Sequence, residues 1–303
     1  MQTVRVVVEK VLHYKTIGAL NYLKYMLVVV SVGAMGQSKI EEASFKVFEP
    51  TGASLSINQL YTQNFFFGNF GLKQLVHAVP MNLESVKTIE ISASTAKQTQ
   101  QKVMQLHYNP EGLLTEMNIF PAFFGEAMTV KYVYQDGLLV QENIRQGTAE
   151  KSNQFYYKGD QMVVLTHKGI LDIYTQQGEV LSKRSYIDGE LVLNDRFTGN
   201  CRTTTYQKRP IHKICFSNLK LTLPLAIEEF TQNENDEGKV VLQIDQTLKI
   251  AAIDANDYRI FNNDKEEYQL TLNTDGRVEK FAYYGNKSTN TAAVDFTFKY
   301  IIH

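Results

Sequence analysis

The stretch "KYVYQDGLLVQENIRQG" (Lys131–Gly147) decides how the chain is read. Asp136-Gly137 is a two-residue hairpin signal, because a type I′ turn needs positive φ at both central positions. Pairing outward from it sets Gln135 against Leu138, Tyr134 against Leu139 and Val133 against Val140. Cross-strand pairs of this aromatic and aliphatic kind contribute about 0.2–1 kcal/mol each. "YIDGELV" repeats the arrangement at Asp188-Gly189, where Tyr186 meets Leu191, and "LNTDGRVEKF" repeats it at Asp275-Gly276.

The turn is one of a series. Between positions 100 and 200 the glycines are Gly112, Gly125, Gly137, Gly147, Gly159, Gly169, Gly178, Gly189 and Gly199, at intervals of 9 to 13 residues. The segments between them, such as "VKYVY", "QMVVLTH", "ILDIYT" and "ELVLNDRF", are rich in β-branched and aromatic residues. Strands at this spacing with turn signals between them define an antiparallel up-and-down meander of hairpins. Gly112, Gly137, Gly159, Gly178, Gly189 and Gly276 are the expected turn positions. The fold class is therefore all-β, expected as a curled or single-layer sheet. Residues 100–303 form the meander, and residues 37–99 form an N-terminal β subdomain, since "EASFKVFEPTGASLSINQLYTQNFFFGNFG" and "VKTIEISAS" also read as strand-like. Helical periodicity is poor throughout.

Composition agrees with sheet. The chain has 303 residues, 44% of them apolar, with 17 Tyr, 17 Phe and no Trp. Its 31 basic and 32 acidic side chains nearly cancel, and there is no basic run, so nucleic acid is not an expected partner.

The N-terminus reads as an export signal. Lys24 precedes an apolar run from Met26 to Val32, followed by small residues ending at Ala34-Met35-Gly36, so cleavage leaves Gln37 first. The run is too short to span a bilayer, which needs about 20 residues. Residues 1–36 are thus a signal peptide with a misassigned start, Leu23 marking the site of an alternative start codon. Export places the chain in the periplasm or at the cell surface and makes its two cysteines informative. Cys201 and Cys215 face each other across a turn centred near Lys208, so a cross-strand disulfide is expected in an oxidising compartment.

The rungs "YNPEGLL" (Tyr108), "YVYQDGLLV" (Tyr132), "YTQQGEVL" (Tyr174), "YIDGELV" (Tyr186) and "LNTDGRVEKFAYY" (Leu272) resemble the YD-repeat (RHS-type) family. The resemblance covers residues 100–200 and 265–285. It implies a meandering sheet that binds or presents something and implies no catalysis. The export signal is similar to those of Bacteroidetes-type bacteria.

No nucleophile elbow, phosphate loop, dinucleotide fingerprint or zinc-protease motif is present. His107, His167 and His212 sit alone on strand-like stretches. "NENDEG" (Asn233–Gly238) starts like a calcium loop, but its twelfth position is Ile244 where an acid is required. No catalytic, metal or cofactor site is expected, and the protein is read as no enzyme. Tyr132, Tyr134, Tyr174 and Tyr186 are candidates for stacking against a ligand. The leading functional expectation is an exported binding or scaffold module whose partner is an envelope protein or a glycan, with strand addition at an open sheet edge. The alternatives are an outer-membrane β-barrel, because "VDFTFKYIIH" alternates like a closing strand, and an envelope glycoside hydrolase using scattered carboxylates.

Overall fold

A computed structural model describes residues 45–63, 83, 85–234, 239–285 and 293–303. The expected export segment and the stretch "NFFFGNFG" lie outside these residues. In chain order the elements are β1 (Phe48–Pro50), α1 (Gly52–Gln63), β2 (Val86–Ser94), β3 (Gln101–Tyr108), β4 (Leu114–Ile119) and a single turn of helix, α2 (Pro121–Phe124). There follow β5 (Met128–Gln135), β6 (Leu138–Gln146), β7 (Ala149–Gly159), β8 (Gln161–Leu165), β9 (Leu171–Gln177), β10 (Val180–Ile187), β11 (Glu190–Thr198) and β12 (Cys201–Tyr206). The last seven are β13 (Arg209–Phe216), β14 (Leu225–Glu234), β15 (Val240–Ala252), β16 (Asp257–Asn262), β17 (Lys265–Leu272), β18 (Val278–Tyr283) and β19 (Val294–Ile302).

Each strand from β2 to β19 pairs antiparallel with its neighbour in sequence, and β19 pairs with β2. The meander is thus a closed 18-stranded barrel, which corrects the expected open, curled or single-layer sheet. The physical reason is the apolar inner face. In β5, Val130 and Tyr132 are buried, while Lys131 between them and Val133 beyond them are exposed. An open single layer would leave that apolar face in water, whereas closure buries it against itself and leaves no edge. Register shifts in nine of the eighteen ring ladders supply the bends; an extra residue in one strand curves it locally. One such bulge follows the decisive hairpin. Tyr134↔Leu139 and Gln135↔Leu138 pair as expected, but Val133 pairs with Gln141, and Val140 is the extra residue.

The inner side chains form one cluster drawn from nearly the whole ring. From β19 to β7 a row of the outer face is polar. A row of lateral neighbours, Lys299, Glu90, Gln105, Asn118, Thr129, Arg145 and Glu150, crosses seven consecutive strands. The parallel inner row includes Phe298, Ile91, Met104 and Ile119.

No separate N-terminal β subdomain exists among the described residues. Val86–Ser94 is a barrel strand between β19 and β3, and the segment read as strand before it contains a helix. Ser54, Ile57, Asn58 and Leu60 are buried along one stripe of α1, the i, i+3, i+4 spacing of a helix face. Its start is half of a capping box: the Thr51 N–H donates to the Ser54 Oγ at 2.9 Å.

Candidate functional site

α1 lies inside the barrel. Its Ile57 belongs to the inner cluster, and Tyr61 sits edge-on to the inward rings of Phe155 and Tyr174, with centroids 5.4 and 5.5 Å away. The segment before it crosses the wall. Phe45 packs on Tyr186 at 5.8 Å, on the outer face with Val163 and Ile173. β1 then pairs parallel with Tyr157–Gly159 of β7, the end of β7 that β6 does not reach. In that split the Leu139 N–H donates to Asn58 Oδ1 at 3.2 Å, and its carbonyl accepts from the Tyr157 hydroxyl at 2.8 Å. Side chains thus satisfy backbone groups that a ladder would otherwise have paired. At the rim beside α1 an open cleft of about 400 Å³ is lined by Ala53, Ile57, Asp160, Gln176 and Gly178.

Below the cleft the inner wall turns polar. Inward positions alternate down β9 as Gln176, Tyr174 and Asp172, the last at the level of Ser185. Lys183 Nζ lies 3.4 Å from Asp172 Oδ2. Asp195 accepts from the Thr204 hydroxyl at 2.6 Å and from the Lys183 N–H at 2.9 Å. Arg202 donates to the Leu181 carbonyl at 2.6 Å. Asp172 Oδ1, Ser185 Oγ and Arg202 Nε are buried without a hydrogen-bond partner among the described residues. Native interiors leave few such atoms.

A second polar group flanks Tyr61. The buried Asn153 donates to Glu142 Oε2 at 2.7 Å and accepts the His167 N–H at 2.9 Å. Burial raises the Glu142 carboxyl above the usual range, partly offset by the Asn153 hydrogen bond. Burial, with help from Glu142, also holds the Tyr61 and Tyr132 phenols protonated. An acid whose native pKa is raised destabilises the fold once it is ionised. Stability falls as pH climbs from the unfolded value to the native one. Glu142→Gln keeps the oxygen that Asn153 donates to. It is expected to stabilise the protein at neutral pH, with the gain vanishing below about pH 4, the unfolded carboxyl range. Urea unfolding of both proteins at several pH values checks this.

The residues singled out from the sequence are scattered around the ring. Cys201 and Cys215 are Cα partners joined by a disulfide on the outer wall. The turn of that hairpin is Gln207-Lys208, and both residues have positive φ. Opening the bridge closes off the constraint on a 14-residue separation and is expected to cost about 3 kcal/mol, read as a lower urea midpoint under reductant. Gly112, Gly137, Gly159, Gly178, Gly189 and Gly276 all have positive φ. Asp136-Gly137 and Asp188-Gly189 are positive at both residues. Asp275-Gly276 is corrected: only Gly276 is positive, because Asn273 closes a longer turn by bonding across to Arg277.

The four tyrosines are corrected as exposed stacking groups. Tyr132, Tyr134 and Tyr174 point inward into the core, and Tyr186 lies buried beneath Phe45. The sequence reading missed Glu142, Asp172, Asp195 and Arg202. Counting outward from the turn did not place Glu142, because the bulge at Val140 is what brings it opposite Tyr132 on the inward face. Among the described residues no cluster of three His, Cys, Asp or Glu side chains could hold a metal ion.

The fold and site define a class: a closed, 18-stranded antiparallel barrel with a helix inside it and a polar sector in its inner wall. No family model matches the chain, and no curated protein does. Among solved structures, a porin-like protein from Bacteroides uniformis ATCC 8492 is similar at a TM-score of 0.38 and 14% identity, over 72% of this chain and 98% of that one. A match that loose carries no argument about function.

Proposed function

We propose that the chain is an exported envelope protein whose barrel stands in water and binds a polar partner, a glycan or an envelope peptide, in the inner sector beneath α1, without catalysis. One observation carries the reading: across β19 to β7 the outward row is polar, while the inward row beside it, from β19 to β4, is apolar. A barrel in lipid has the opposite arrangement, with an apolar outward band about 25 Å tall. Glu90 and Lys299 stand near the middle of β2 and β19 on the outward face. A basic side chain facing lipid at the bilayer midplane costs about 2–4 kcal/mol. Asp172 Oδ1, Ser185 Oγ and Arg202 Nε, the last 3.9 Å from Asp195 Oδ2, lack a hydrogen bond among the described residues and are capacity that a polar partner would use.

The second reading is the outer-membrane barrel. Closure with an even number of strands favours it over the open sheet of a binding repeat module. Carbonate extraction of envelopes separates the two. The protein is expected in the released fraction, and its migration on a denaturing gel should not depend on boiling. Retention in the pellet together with heat-dependent migration would establish the lipid reading instead. Export and cleavage before Gln37 are part of the proposal, and N-terminal sequencing of the envelope protein tests them.

A further inference from the structure

At β14 and β15 a hairpin outruns its neighbours. β14 and β15 pair from Leu225↔Ile250 as far as Glu234↔Val240. β13 accompanies β14 only to Thr231, and β16 joins β15 only from Leu248. Between Val240 and Ile244, β15 therefore has no strand on its other side among the described residues; Asn263, following β16, reaches it at the Asp245 carbonyl. That edge carries the usual hazard of open backbone donors and acceptors. It also carries alternating aliphatic residues. Val240, Leu242 and Ile244 share the outward face with Phe230, and Val240 and Ile244 are 59% and 56% exposed. No proline or lysine interrupts the stretch from Val240 to Gln246. From β19 to β7 a row of the outward face is polar, and a second outward apolar patch, Val163, Ile173 and Tyr186, is packed by Phe45.

We infer that this edge pairs with the same edge of a second copy of the chain, antiparallel about a two-fold axis at Leu242. The sequence is self-complementary about that point. Val240 meets Ile244 of the second copy, Leu242 meets its own counterpart, and all three stay on one face. Shifting the axis to Ile244 would set Leu242 against Gln246 and lose the aliphatic match. An isologous contact of this kind covers both open edges at once and cannot propagate into a fibre. The inference does not rest on the inner sector.

The mature protein is expected to sediment as a dimer. Val240→Lys with Ile244→Lys should convert it to a monomer with an unchanged circular dichroism spectrum and melting temperature, since both side chains are exposed. Leu242→Cys should form an intermolecular disulfide without added oxidant catalyst, because opposed residues in an antiparallel pair lie about 4.5–5.5 Å apart, within bridging range. Thr129→Cys, outward on β5, serves as the control and should not cross-link. A wild-type monomer well above micromolar concentration, or equal cross-linking at Leu242→Cys and Thr129→Cys, would overturn the inference.

Discussion

Phe281→Ala is expected to lower the unfolding free energy by about 3–5 kcal/mol, the range for deleting a large aromatic from a packed core. Phe281 is 0% exposed. Its ring stacks on Tyr268 at 5.5 Å and tilts against Phe296 at 6.2 Å. It thus sits in the middle of three adjacent strands, paired with Leu270 of β17 and Phe296 of β19, with Tyr268 one inward position along β17. The alanine leaves a void lined by rigid rings that cannot collapse into it. Part of the cost is transfer of the lost surface to water, and the rest is lost dispersion contact around the cavity. Urea unfolding followed by tyrosine fluorescence measures it. A loss below about 1 kcal/mol, the scale of ordinary surface changes, would mean that the inner row is not packed as described. Phe298→Leu, a smaller loss of volume two residues along β19, should cost less and rank between wild type and Phe281→Ala.

Gly178→Ala should be nearly as damaging, at about 3 kcal/mol or more, because it combines two penalties on the short list of severe mechanisms. The residue has φ +59°, and a Cβ there would stand 2.3 Å from the Leu219 carbonyl oxygen and 2.8 Å from its carbon. Both atoms are backbone, so no rotamer change relieves the clash. The loop carrying Leu219 would have to withdraw, and with it the hydrogen bond from the Glu179 N–H to the Leu219 carbonyl, now 2.7 Å. Gly199 provides the comparison. It has the same φ of +59° and nothing within 4 Å of the added methyl. Gly199→Ala therefore isolates the left-handed backbone cost, about 1–2 kcal/mol. The difference between the two variants measures the close approach alone. Equal losses would remove the steric argument.

The hairpins were legible because their chemistry is local. Asp136-Gly137 and Asp188-Gly189 name their turn type in two residues, and the register of Tyr186 on Leu191 follows from counting outward. Bulges were not legible. Val140 is an ordinary β-branched residue, and nothing in its neighbourhood marks it as the extra one. Closure was hidden for a related reason. It depends on accumulated curvature and on the pairing of Phe298 with Ile91, two residues far apart in sequence. α1 was missed because "GASLSINQLYTQ" alternates polar and apolar residues well enough to read as strand, while its helical stripe rests partly on the buried polar Ser54 and Asn58. The polar inner sector could not be assembled from sequence at all. Glu142 and Asp172 acquire their setting from Tyr61, whose position on a helix threaded into the barrel is a tertiary fact.

The all-antiparallel ring imposes an arithmetic on how such a chain can grow. Every ladder from β2 round to the β19–β2 junction runs antiparallel. A circuit of alternating directions returns to its start in phase only when the count is even. One inserted strand would leave the last and first members pointing the same way and spoil the junction, while a duplicated hairpin would leave every direction intact. Lineages carrying this architecture should therefore differ by whole hairpin duplications, each widening the bore, and odd-membered descendants should be rare.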